Sequence, residues 1–148
     1  MIFLHLIIAL IFGKITGQYW WFLLGSVFPD IDHLFIIAKH RLWNWGKFMR
    51  TLRFEKGYSI LYKTPYTHSV LALVVYSFIV GLINFEWGLL FGSAYLAHLI
   101  LDWLDIDVKY YLYPLKTKFQ GILPIWSKTE QIVTVIGLLV LIALVIIY

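Results

Sequence analysis

From Gln131 to Tyr148 the chain runs eighteen positions without a charged residue. A stretch of that length and character reads as a transmembrane helix: at 1.5 Å per residue it spans about 27 Å of a hydrocarbon core about 30 Å thick. The rest of the chain agrees with it. Of 148 residues, 61% are hydrophobic and 14% charged, against about 45–50% and about 25% in soluble domains. A soluble fold of this size cannot bury so much apolar surface, and lipid takes the remainder. No polar linker divides the hydrophobic segments, which predicts a single integral-membrane domain over residues 1–148.

Four further apolar segments stand out: Ile2–Phe12, Tyr19–Phe28, His68–Ile83 and Trp87–Leu104. The expected fold class is therefore all-α, a polytopic helical membrane bundle of about five apolar helices with an interfacial helical loop. The first two segments are about ten residues each and flank Gly13–Gly17, whose glycines suit a tight turn. They predict a short or re-entrant pair, or helices extended by their polar ends. The third and fourth, turned around Asn84–Glu86, predict a transmembrane hairpin. The N-terminal segment has no basic leader and no small-residue cleavage site, and it carries His5 within its apolar run. It is expected to be a retained helix and not a cleaved signal. With no cysteine in the chain, disulfides, thiolate metal sites and thiol nucleophiles are excluded.

Most of the basic residues fall in two stretches. Lys39, Arg41, Lys47, Arg50, Arg53, Lys56 and Lys63 stand against Glu55 alone, beside Trp43 and Trp45; aromatic bodies among cations fit an interfacial segment. Lys109, Lys116, Lys118 and Lys128 follow, with Tyr110, Tyr111, Tyr113 and Trp126 interleaved. The net charge of +4 is read as membrane topology and not as a nucleic-acid surface, so membrane lipid is an expected partner and nucleic acid is not. A hairpin crosses the bilayer twice, so both basic stretches share one face. By the positive-inside rule that face is cytoplasmic. The expected location is the inner (plasma) membrane, multi-pass, with basic loops in the cytoplasm and Tyr148 on the far side.

On that map the ionisable residues gather. Asp30, Asp32 and His33 lie where the second segment emerges, His68 opens the third, His98 and Asp102 close the fourth, and Glu130 opens the last. His5 joins them if the first two helices form a hairpin. An ionisable residue in a membrane helix costs roughly 2.5–3.5 kcal/mol on insertion scales, which makes it a functional candidate by default. His98 and Asp102, spaced i, i+4, share one helix face. Imidazole and carboxylate together suit Zn²⁺, with Mn²⁺ or Fe²⁺ as alternatives. Blander readings exist for single motifs. Pro29–His33 suits a helix start, Thr67 an N-cap, and Ser127–Glu130 a capping box. They do not account for the convergence. His40 is read as a surface residue, and Asp105 and Asp107 as solvated loop acids, with Asp105 the better site candidate.

Gly25–His33 (GSVFPDIDH), Thr64–Ser69 (TPYTHS) and Ala94–Pro114 (AYLAHLILDWLDIDVKYYLYP) resemble the YdjM-like family of LexA-binding, inner-membrane-associated, metal-dependent hydrolases. The family pattern of an early His, PDxDH, THS, HxxxD, a Tyr/Trp-Pro step and a late Glu falls here on His5, Pro29–His33, Thr67–Ser69, His98 with Asp102, Tyr113-Pro114 and Glu130. Many members carry His-Arg-Gly shortly before the THS element. This chain has Lys63-Thr64-Pro65 there, with Lys63 a cationic stand-in.

The resemblance implies a membrane-embedded hydrolase acting at the cytoplasmic face. His5, Asp30, Asp32, His33, His68, His98 and Asp102 form its ligand pool for one or two divalent ions, zinc first. Seven candidates exceed the four positions of one tetrahedral zinc, so some orient ligands or the site is binuclear. Such an ion lowers the pKa of a bound water to about 7. Glu130 and Asp32 are the candidate catalytic carboxylates, and Lys63 and Lys128 the candidate cations for an anionic phosphoester or lipid-linked substrate. Two other classes compete: a metal-ion transporter component, and a non-catalytic scaffold that binds a regulator. The first predicts polar residues along a whole helix face, and the second survives loss of His98 and Asp102.

Overall fold

A computed structural model describes residues 2–53, 60–124 and 126–147. Its elements are helical: α1 (Ile2–Thr16), α2 (Tyr19–Val27), a 3₁₀ turn (Phe28–Asp30), α3 (Ile31–Lys39), α4 (Trp45–Arg53), α5 (Val70–Ile83), α6 (Phe85–Trp103) and α7 (Lys128–Ile147). Among the described residues there is no strand, only two isolated β-bridges. The all-α expectation holds. Among the described residues two stretches are long and apolar enough to cross a membrane, Tyr19–Lys39 and Lys128–Ile147, while Phe3–Thr16 and Val70–Ile83 are shorter apolar helices.

The packing order is not the chain order. α7 lies on α1, α1 on α2, α2 on α6, and α6 on α5. The central helix is α6, which buries Gly88, Phe91, Ala94, Tyr95, His98, Leu99 and Asp102. α1 and α2 form the expected hairpin, turned at Gly17, whose φ of 72° is in the left-handed region that favours glycine. The second segment is extended past Phe28 by its polar end, one of the two forms expected. Pro29 sits at the head of the 3₁₀ turn, where its missing N–H costs nothing, and α3 continues the helical direction. Asn84 serves both helices of the α5–α6 hairpin: it is the last cap of α5, and its side chain accepts a hydrogen bond from Trp87 N (3.1 Å) to start α6.

The helices meet through small residues, as membrane helices do. A Cβ on Gly25 of α2 would lie 2.3 Å from the Phe91 carbonyl oxygen of α6, so these backbones touch. The outer faces stay apolar and open: Phe78, Leu82 and Ile83 of α5 and Ile136, Leu139, Ile146 and Ile147 of α7 are all more than half exposed.

The first basic stretch divides. α4 turns Phe48 and Thr51 inward, toward a small core of Ile36, Leu42, Ile60 and Tyr62. Lys47, Arg50, Trp43 and Trp45 face outward. Glu55 and Lys56 lie outside the described residues. The second stretch folds back on itself: Ile106 N donates to Leu123 O (3.0 Å), and Lys109 and Phe119 exchange backbone hydrogen bonds (2.9 Å each). This corrects two sequence expectations. Lys109 is fully buried, not a headgroup-level cation, and Asp105 and Asp107 are buried as well, not solvated.

Candidate metal centre

The end of the bundle that holds the starts of α1, α5 and α7 and the ends of α2 and α6 collects the polar residues. His98 and Asp102 come from the last turns of α6 and His5 from the first turns of α1. Asp30 and Asp32 come from the 3₁₀ turn and the head of α3, and His68 from the residues just before α5. His5, Asp32, His68, His98 and Asp102 are all buried.

Four side-chain atoms define the centre. His68 Nε2 and His98 Nε2 each lie 3.3 Å from Asp102 Oδ2, and they lie 3.7 and 3.6 Å from Asp30 Oδ1. Atoms bound to a tetrahedral zinc at its usual 2.0–2.1 Å stand about 3.3–3.4 Å apart. Among the described residues, His68 Nε2, His98 Nε2 and Asp102 Oδ2 are buried without a hydrogen-bond partner, as is His5 Nδ1. Buried polar atoms are nearly always paired, so several orphans around one point fit a cation. Two overlapping groups have metal-ligand proximity, Asp30–His68–His98 and His5–His98–Asp102.

Each ring is aimed by what its other nitrogen does. His98 Nδ1 donates to the Ser26 carbonyl (2.6 Å), which fixes the proton there and leaves Nε2 with its lone pair. His68 Nδ1 lies 3.0 Å from Asp32 Oδ2. That oxygen also accepts from Thr64 N and from Thr67 Oγ1, both at 2.7 Å. The other oxygen of Asp32 faces His33 Nδ1 at 2.8 Å. Asp32 thus has both oxygens engaged and orients His68. His33 stands outside the orphaned group, partly exposed and 3.7 Å from Asp30. His5 stacks on His98 with ring centroids 3.9 Å apart, and its Nε2 lies 3.1 Å from Asp102 Oδ1.

Asp102 Oδ1 also meets Lys63 Nζ at 2.8 Å. Lys63 is buried, pairs with Asp105 and lies 3.8 Å from Asp107. Burial alone would lower its pKa, but Asp102, Asp105 and Asp107 reverse this and hold it well above the ordinary lysine value. Lys109 pairs with Asp105 from the other side, and burial together with Lys63 draws its pKa below the usual lysine range. His68 behaves like Lys63: burial lowers it, while the Asp102, Asp30 and Asp32 carboxylates beside it push it up to about 10. Asp30, Asp32, Asp102, Asp105 and Asp107 face Lys63, Lys109 and the protonated His68, which leaves a surplus of negative charge that suits a cation.

One sequence reading changes here. The cap of α5 is Ser69, whose hydroxyl accepts from Ala72 N (3.1 Å), and not Thr67, which serves Asp32. The Lys63–Asp105–Lys109 cluster was not foreseen. Its one signal was a lysine adjoining the Thr64–Ser69 motif and acids recurring at 102, 105 and 107. Glu130 forms the anticipated cap at the start of α7: Ser127 Oγ accepts from Glu130 N (3.2 Å), and Glu130 Oε2 accepts from Trp126 N (2.6 Å).

Fold and centre together define an apolar all-helical protein with a buried His–Asp cluster at one end of its bundle. A family model described as YdjM inner membrane protein matches residues 2–148. The chain belongs to that family, whose description places it in the inner membrane. No curated protein and no solved structure matches it.

Proposed function

We propose that this chain is a multi-pass inner-membrane hydrolase that works at the cytoplasmic face, with a divalent ion, zinc first, held by His68, His98, Asp30 and Asp102. The observation that supports this most is the set of orphaned buried atoms, with His68 Nε2 and His98 Nε2 each 3.3 Å from Asp102 Oδ2. When bound, such an ion supplies Lewis-acid activation of water and of an ester or phosphoryl oxygen. Asp32 holds the His68 ring in register, the Ser26 carbonyl holds the proton on His98 Nδ1, and Lys63 anchors Asp102 Oδ1 so that Oδ2 turns to the centre. His5, stacked on His98, is either a ligand of a second ion or a support for that ring. Glu130 is kept as the candidate general base in addition to its capping role. Lys128, unlike the buried Lys63, is exposed at the same end of the bundle and suits the reception of an anionic phosphoester.

Metal analysis of detergent-purified protein tests the proposal, with wild type beside His98→Ala and Asp102→Ala. Stoichiometric metal in wild type and none in the variants, with helicity retained, is the expected result. A freshly purified wild type without stoichiometric metal would overturn it. For orientation, cysteines introduced near residues 50 and 86 should label from opposite sides of the membrane.

A further inference from the structure

Helices α1 and α6 hardly touch one another; each leans on α2. The gap between them is a cavity of about 270 Å³, with Ile8 and Phe12 from α1, Ala97 and Leu101 from α6, Phe22 from α2, and His98 among its lining residues. Apart from His98, only two serines interrupt its apolar lining. From Ser93 to Leu101 it follows α6 for roughly 12 Å at the helical rise. Phe12, at its edge, is 44% exposed, on a helix whose Phe3 and Ile15 also face outward.

This shape is unlike a site for a water-soluble substrate, which needs several polar groups to fix it. It is a slot with apolar walls that ends against His98, a residue of the orphaned cluster. We infer that the α1–α6 cleft seats one alkyl or acyl chain of the substrate. The substrate is therefore a membrane lipid that enters sideways from the leaflet, its chain along α6 and its ester or phosphoester junction at His98. The inference rests on the hydrolytic reading of the cluster and adds the substrate class. The narrow volume limits the cleft to a single chain, below the roughly 300–1,000 Å³ of sites for drug-sized molecules. Bulkier headgroups are left to the partly exposed edge of the cluster at His33.

Full-length protein in vesicles of phosphatidylethanolamine and phosphatidylglycerol, doped with a phospholipid bearing a diazirine on one acyl chain, provides the test. After irradiation, crosslinked residues are mapped by mass spectrometry and zinc is measured on the same samples. Labels are expected at Ile8, Phe12, Ala97 or Leu101 as well as on the outward face of α7. Ala97→Trp, which fills the cleft, should lower the cleft labels at least tenfold relative to those on α7 while zinc content stays at the wild-type level. Should Ala97→Trp fail to fold, Ser93→Leu obstructs the same slot from one turn away. Labels confined to α5 and α7, or cleft labels that neither substitution reduces, would overturn the inference. Zinc without cleft labelling would leave a hydrolase of water-soluble esters. Cleft labelling without zinc would uphold the lipid seat and overturn the hydrolytic reading beneath it.

Discussion

The two ends of α6 are packed by different physics. At its start Gly88 lies against Gly81 of α5, so close that a Cβ there would fall 2.6 Å from the Gly81 Cα. No charge takes part, and shape alone decides the fit. At its end, His98 and Asp102 are surrounded by His5, His68, Asp30 and Lys63, and four of the atoms involved are left without hydrogen bonds. The first end is complete within the polypeptide. The second leaves buried polar atoms grouped as a cation site would group them. One helix can carry both because interhelical contacts in lipid depend on close fit and paired polar groups, not on burying apolar surface.

The sharpest way to break this contrast is Asp102→Ala. It removes a candidate ligand and takes one of the carboxylates from the buried Lys63, which keeps Asp105; losing one member of a buried pair costs about 3–5 kcal/mol. Metal content should fall to background, and the detergent melting temperature should drop by more than for any change at the other end. Asp32→Asn acts on aim and not on ligation. A 10–100-fold loss of metal affinity is expected, read by competition with a chelator of known strength, with helicity unchanged.

Gly88→Val probes the opposite end. Overpacking there should cost about 1–3 kcal/mol while zinc stoichiometry remains that of wild type; a loss of zinc in this variant would show that the two ends are not separable. Titration sharpens the contrast further. His68 keeps its proton up to about 10, so metal must displace that proton anywhere below this value. Apparent affinity should rise with pH, about tenfold per unit for each proton released, and calorimetry in buffers of different ionisation enthalpy counts those protons. Ser127→Ala is the smallest change: loss of the α7 cap should cost about 1 kcal/mol and leave metal binding alone.

The gathering of His5, Asp30, His68, His98 and Asp102 at one end was legible because each is conspicuous in an apolar setting, and because helices that alternate direction bring every second terminus to one level. The buried Lys63–Asp105–Lys109 cluster was not legible. Within the sequence these residues sit in basic, tyrosine-rich stretches that resemble any solvated loop. Their burial follows from backbone pairing of residues 104–109 with 119–123, a long-range event with no periodic signature. The continuation of the second segment, by contrast, agrees with the expectation of helices extended by their polar ends. Pro29 reads as a boundary, yet a proline at the head of a 3₁₀ turn permits the helix to continue as α3. The cap at Ser69 was missed because Thr67, two positions earlier, suits the same role and is held elsewhere by Asp32.

Gly25 has a consequence that reaches beyond packing. By letting α2 rest directly on the Phe91 carbonyl, it brings the neighbouring Ser26 carbonyl to the imidazole of His98, and so the spacing between two main chains sets the tilt of a ring. A methyl group at position 25 would push the helices apart and swing that ring away from its companions. The grip on an ion would then weaken through a residue that has no side chain to offer it.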